Sequence, residues 1–175
     1  GGMMNVAGGT TTILPNGNFG PIYESEAFTE DIWISGLPRL HIDVSTATVG
    51  GQIYALLEDC SEEGYCIHIG HAIMDLRYHE GGDQEQTWLP IFDTINAKME
   101  FFAMDVQIEA GHIIRLSLAS TGEDYLPAST SSIVEVSEGS NSNLLIDIIN
   151  PEDKLLFNPP TCTHQACLDW LNQTA

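Results

Sequence analysis

Short apolar rows with a period of two recur along most of this chain. Leu40, Ile42 and Val44 alternate with His41, Asp43 and Ser45, and Ile114, Leu116 and Leu118 alternate with Arg115 and Ser117. Successive side chains of a strand point to opposite faces, so each row predicts a strand with one face in a core and the other in water. Val134 with Val136, and Leu144, Ile146 and Ile148, supply further inward rows. Candidate strands fall at about 32–35, 38–46, 51–58, 65–79, 86–91, 95–108, 112–120, 132–137 and 143–149. Turn signals separate them: Gly50-Gly51, Glu62-Glu63-Gly64, Gly81-Gly82-Asp83, Ala110-Gly111 and Glu138-Gly139-Ser140-Asn141. Strands this short and closely spaced, with no amphipathic helix between them, predict an all-β antiparallel sandwich of two sheets.

The same pattern divides the chain into three parts. Residues 1–22 are rich in Gly, Thr, Asn and Pro with little periodicity, and read as an extended lead-in. Residues 23–150 carry the sandwich. Residues 151–175 read as a tail with a short C-terminal helix, Thr163 as its N-cap, and Ala166, Cys167, Trp170 and Leu171 on one stripe. The Gly1-Gly2-Met3 start reads as a processed or trimmed end.

Composition narrows the class of partner. A length of 175 residues suffices for one sizeable core, and no run approaches the ~20 apolar residues that span a bilayer. Against 25 acidic residues there are only 5 basic ones, a formal net charge of -20. Phosphate binding needs clustered Lys and Arg, so no nucleic-acid partner is expected. Such a surface suits solubility in a salty or extracellular setting, and it also attracts cations.

Four cysteines form two local pairs, Cys60/Cys66 and Cys162/Cys167. Short closed loops of this kind read as disulfides, hence an oxidising, extracellular or cell-surface location. The alternatives are free thiols, or zinc held by Cys60, Cys66, His68 and His71 or by Cys162, His164 and Cys167. Zinc is the weaker reading because neither run has a C-x₂-C knuckle. In addition, His68 and His71, three apart in a strand, should point to opposite faces.

The order of these strands resembles the C-terminal non-catalytic domain of the Xaa-Pro dipeptidyl-peptidase family, shared with cocaine-esterase-like acyl hydrolases. The resemblance begins at Tyr23-Glu24-Ser25-Glu26-Ala27-Phe28. It runs on through Ile34-Ser35-Gly36-Leu37-Pro38-Arg39-Leu40, Gly51–Asp59 and His68–Tyr78. Ala110-Gly111-His112-Ile113-Ile114-Arg115-Leu116 is its most specific step. Residues 23–149 are covered. The resemblance implies a jelly roll like that of galactose-binding modules, packed against an α/β-hydrolase core that carries the nucleophile, acid and histidine. The cysteine pairs, the acidity and the tail after residue 150 lie outside the family pattern. The chain itself has no Gly-x-Ser-x-Gly, no Gly-rich phosphate loop and no His-Glu-x-x-His. It is therefore expected to have no catalysis of its own and no cofactor.

A few residues offer something beyond packing. Glu80, Asp83 and Glu85 around Gly81-Gly82 place oxygen donors in one turn that would suit Ca²⁺, or are simply a solvated acidic turn. His112 and Arg115 flank the most specific strand and would touch a partner or ligand, or else play a structural part, with Arg115 in water or paired to Asp105. Trp33, Trp88, Tyr54, Tyr65, Tyr78 and Tyr125 could line a sugar platform; Trp88 and Tyr125 stand in loop-like surroundings, each before a Leu-Pro step. Phe101 and Phe102 are adjacent, so one ring must face outward as a contact surface, and Phe101 is the interface candidate. Two functions follow as expectations: an accessory domain beside an α/β-hydrolase domain, or a free-standing extracellular sandwich that binds carbohydrate or assembles with copies of itself.

Overall fold

Inward rows need a facing layer, and strand pairing decides how the layers are assembled. In the computed structural model the described residues are 2–5, 9–14, 20–79, 89–122, 125–126 and 132–149, with side chains described from residue 11 onward. Among them the strands are β1 (Gly2–Asn5), β2 (Gly9–Ile13), β3 (Ile22–Glu24), β4 (Ile32–Gly36), β5 (Arg39–Thr46), β6 (Gln52–Cys60), β7 (Cys66–Asp75), β8 (Ile95–Glu100), β9 (Met104–Ile108), β10 (Ile113–Ala119), β11 (Val134–Glu138), β12 (Asn143–Ile146) and β13 (Ile148–Ile149). A single 3₁₀ turn, Leu76–Tyr78, follows β7. Every pairing is antiparallel.

One layer is the regular sheet β3-β10-β6-β7. The other is built from long strands that are interrupted and carry on. β12, β5 and β8 lie side by side, and their continuations β13, β4 and β9 lie side by side in the same order. The breaks fall on one line: Leu37-Pro38, residues 101–103 and Asp147. Proline has no N–H for a ladder, but its carbonyl still serves: Phe101 donates its N–H to Pro38 O at 2.9 Å. Gly36, with φ 133°, takes a backbone conformation open to few other residues just before this kink. A second break, at residues 139–142, separates β11 from β12 along β5. Ser142 bridges it, its hydroxyl accepting from Asp43 N–H at 3.1 Å and donating to Ser137 O at 2.6 Å.

Between the layers the predicted rows meet. Leu40, Ile42, Val44, Ile114, Leu116, Leu118, Val134, Val136, Leu144 and Ile146 are all buried, joined by Ile53, Ala55 and Leu57 from β6 and Ile13 from β2. Burial of this kind stabilises the fold by about 25 cal/mol per Å² of apolar surface removed from water. The all-β sandwich expected from the alternation is the observed fold.

Several element boundaries differ from the alternation pattern. The strand expected at 95–108 is two strands, since Phe101 turns into the core and the chain bends after it. The strand expected at 86–91 is absent over its described part, where Leu89 and Pro90 are coil and Ile91-Phe92 form a turn. The extended lead-in contributes strands that were not expected: β1 pairs with β12 and β2 with β11, extending the kinked layer. Its signal was Thr10-Thr11-Thr12, β-branched residues that favour strands without apolar alternation. The short C-terminal helix and Cys162/Cys167 lie outside the described residues.

Candidate functional site

Ile53, Ala55 and Leu57 point inward, so Tyr54, Leu56 and Glu58 point outward from β6. Opposite them on β7, Tyr54 faces Ile73 and Leu56 faces His71. Beyond this the register slips: Leu57 pairs with Gly70 but Glu58 pairs with His68, leaving Ile69 as an extra residue. A bulge of this kind resets the alternation. His68 and His71, expected on opposite faces, are thereby brought onto the same outward face, with His71 Nδ1 3.2 Å from His68 Nε2.

A turn after β10 lies back over the same face. Gln52, buried at the start of β6, donates its side-chain amide to Ser120 O at 3.0 Å and to Leu126 O at 3.4 Å. Thr121 donates its hydroxyl to Tyr125 O at 2.9 Å, and Tyr125 N–H donates to Gly122 O at 3.1 Å. A Cβ on Gly122 would meet ring carbons of Tyr54 at 2.6 Å, so the turn lies this close only because the residue is glycine. Tyr125 Oη consequently sits 2.7 Å from His71 Nε2. Tyr54 stacks on His71 at 5.7 Å between ring centres, and Phe102 meets His71 edge-on at 5.4 Å.

His71 is thus contacted at both ring nitrogens and packed against the rings of Tyr54, Phe102 and Tyr125. A neutral imidazole has one donor and one acceptor, so the contacts His68–His71–Tyr125 form one polar chain whose proton positions are linked. The rings of Tyr54 and Tyr125 are tilted by 47° and turned onto His71, which is not the flat shelf on which a sugar ring stacks. Among the described residues no three of His, Cys, Asp and Glu are grouped to hold a metal ion.

The other predicted residues are scattered. Cys60 and Cys66 are joined in a disulfide at the hairpin tip. His112 Nδ1 lies 2.8 Å from Asp59 Oδ1. Arg115 pairs with Glu24 at 2.8 Å and not with Asp105, because β3 is its cross-strand neighbour and Asp105 accepts from Trp33 Nε1 at 2.8 Å. Phe101, the interface candidate, is a core residue at 2% exposure; the outward ring of the pair is Phe102, at 68%. The pleat alone could not tell which of the two would turn inward at a bend. Tyr65 is exposed at the hairpin tip, away from the ring cluster. Glu80, Asp83, Glu85 and Trp88 lie outside the described residues.

A narrow crevice opens between β3 and the kinked layer. Its walls are Leu40, Ile42, Leu116, Val136 and Leu144, with Tyr23, Glu138, Ser142 and Asn143 at the polar side. Tyr23 Oη lies 3.1 Å from Glu138 Oε1 and 3.2 Å from Thr11 Oγ1. Burial of the phenol, with the Glu138 carboxylate beside it, pushes its pKa up to about 12 although the Thr11 contact acts the other way.

The family model of the X-Pro dipeptidyl-peptidase C-terminal non-catalytic domain matches residues 15–144. The chain belongs to this family. As an X-Pro dipeptidyl-peptidase C-terminal domain it is of a non-catalytic kind, in keeping with a sequence that has no nucleophile motif. Solved structures share its fold at low identity. A CocE/NonD family hydrolase from Staphylococcus aureus aligns with TM-score 0.71 and 10% identity over 83% of this chain and 34% of its own. An α-amino acid ester hydrolase aligns with TM-score 0.63 and 17% identity over 73% and 25%. An aminopeptidase from a marine sediment archaeon, of the Thaumarchaeota, aligns with TM-score 0.64 and 15% identity over 74% and 25%. The X-Pro dipeptidyl-peptidase C-terminal domain described here therefore spans about a third or less of the hydrolases it matches. Among curated proteins none matches significantly.

Proposed function

We propose that this domain is the accessory sandwich of a larger serine hydrolase of the dipeptidyl-peptidase or ester-hydrolase kind. In this reading it buttresses an α/β-hydrolase core, shapes access to that core and contributes to contacts between copies. The observation that carries it is the family match over residues 15–144 to a domain that accompanies a hydrolase without doing chemistry. The outward Phe102 beside the Tyr54–His71–Tyr125 rings supports it, since exposed aromatic surface marks contact with a partner. The Cys60–Cys66 disulfide supports an extracellular or cell-surface setting for the whole.

Activity assays test this directly. The isolated chain should leave Xaa-Pro-p-nitroanilides and short acyl esters at background, whereas a parent protein that carries the chain should turn one of them over. Removing the domain from that parent should lower both its thermal midpoint and its kcat/KM. Turnover by the isolated chain that a serine-directed inhibitor abolishes would defeat the proposal.

A further inference from the structure

We propose that His68 and His71 form a binding site for one late transition-metal divalent cation of the Zn²⁺, Ni²⁺ or Cu²⁺ class. The bulge at Ile69 turns both imidazoles to the same face, and the two facing nitrogens are 3.2 Å apart. Two nitrogens bound at 2.0–2.1 Å to a tetrahedral ion stand about 3.3 Å apart, so the pair is already spaced as one edge of such a site. In the free protein that spacing is a hydrogen bond between the two rings, and the ion takes the place of its proton, which leaves to solvent.

Tyr125 supplies the second requirement. Its hydroxyl lies 2.7 Å from His71 Nε2, so with an ion on Nδ1 the ring carries its proton on Nε2 and donates it to Tyr125 Oη. Ligating histidines are held in this way, with the distal N–H given to an outer acceptor that fixes tautomer and ring angle. Tyr54 and Phe102 pack against the same ring. No third His, Cys, Asp or Glu joins the pair among the described residues, so the remaining positions belong to water. Cys60 and Cys66, on the same face further along the hairpin, are bonded to each other and supply no thiolate. Imidazole donors select this class of ion over Mg²⁺ and Ca²⁺, which take oxygen ligands. The formal charge of -20 raises the cation concentration near the surface without choosing between ions.

The test uses the full chain without a histidine tag, titrated with Zn²⁺ in excess Mg²⁺ so that carboxylates are occupied. Calorimetry should give one saturable equivalent. Histidine side-chain ¹⁵N spectra should show the rings of His68 and His71 shifting while those of His41, His79 and His112 stay in place. His68→Ala, at an exposed position that tolerates truncation, should abolish the saturable phase. Tyr125→Phe should weaken it roughly tenfold, the effect of losing an outer acceptor. Unshifted His68 and His71 rings in the wild-type spectrum, or equal Zn²⁺ uptake by His68→Ala, would overturn the proposal. Neither readout depends on a hydrolase partner.

Discussion

The two faces of the β6–β7 hairpin are made from the same residues in alternation, yet they are organised by different rules. Inward, Ile53, Ala55, Leu57 and Ala72 form apolar rows that pack against the opposite layer. Outward, one extra residue at Ile69 and one turn held by Gln52 gather His68, His71, Tyr54 and Tyr125 into a polar-aromatic cluster. The inner face rests on many close-packed apolar contacts, whose members are set by which side of the strand each residue is on. The outer face rests on a few specific ones. A core therefore tolerates a register described only by parity, whereas the cluster needs the bulge at its observed position.

Substitutions at the bend of the kinked layer should separate the two regimes most clearly. Phe101→Ala should cost about 3–5 kcal/mol in denaturant unfolding, the range for truncating a buried aromatic. Phe102→Ala should stay within about 0.5 kcal/mol, as an exposed site does. Equal costs would mean that inside and outside have been wrongly assigned. Next in size, replacing Cys60 and Cys66 together by Ser should lower stability by about 2 kcal/mol, the chain-entropy value for a loop this short. Guanidinium unfolding of oxidised wild type against the double variant reads it out.

Gln52→Ala should cost about 1.5 kcal/mol, since it removes two hydrogen bonds from a buried amide. It should also release Tyr125 from His71, visible as a change in the near-ultraviolet dichroism of the tyrosines. A stability loss with unchanged tyrosine signal would separate the turn from the cluster.

The smallest effect is expected at the crevice. The Tyr23 phenol has a folded pKa of about 12 against an ordinary 10, so the folded state favours the neutral ring. That preference is fully present below pH 10 and fades as pH rises from 10 through 12, because the unfolded chain ionises first. Tyr23→Phe should therefore flatten the fall of the thermal midpoint above pH 10, without changing it at pH 7 through this route. An unchanged alkaline slope would show that burial beside Glu138 does not hold the phenol neutral.

How far each region was legible follows from the range of the signals. The inward rows of β5, β10, β11 and β12 were readable because alternation is a property of neighbours in sequence, and each row is buried as expected. The segment Ala110 to Leu116 lies along β10 and the turn before it, as its Ala-Gly turn signal and alternation predict. Strand β2 was missed since its threonines carry β-propensity but no apolar period. The partner of Arg115 was not legible, since Glu24 sits across a ladder between residues ninety-one apart.

By itself the sequence determined an all-β sandwich, an acidic surface, the membership of a non-catalytic domain family and the want of a nucleophile motif. Only the tertiary structure decided which ring of Phe101-Phe102 faces the core, where the long strands bend, and that His68 and His71 meet. The physical reason is that side-chain parity is written locally, whereas a bulge is set by the strand alongside. The grip on His71 comes from Tyr125, fifty-four residues away in the chain.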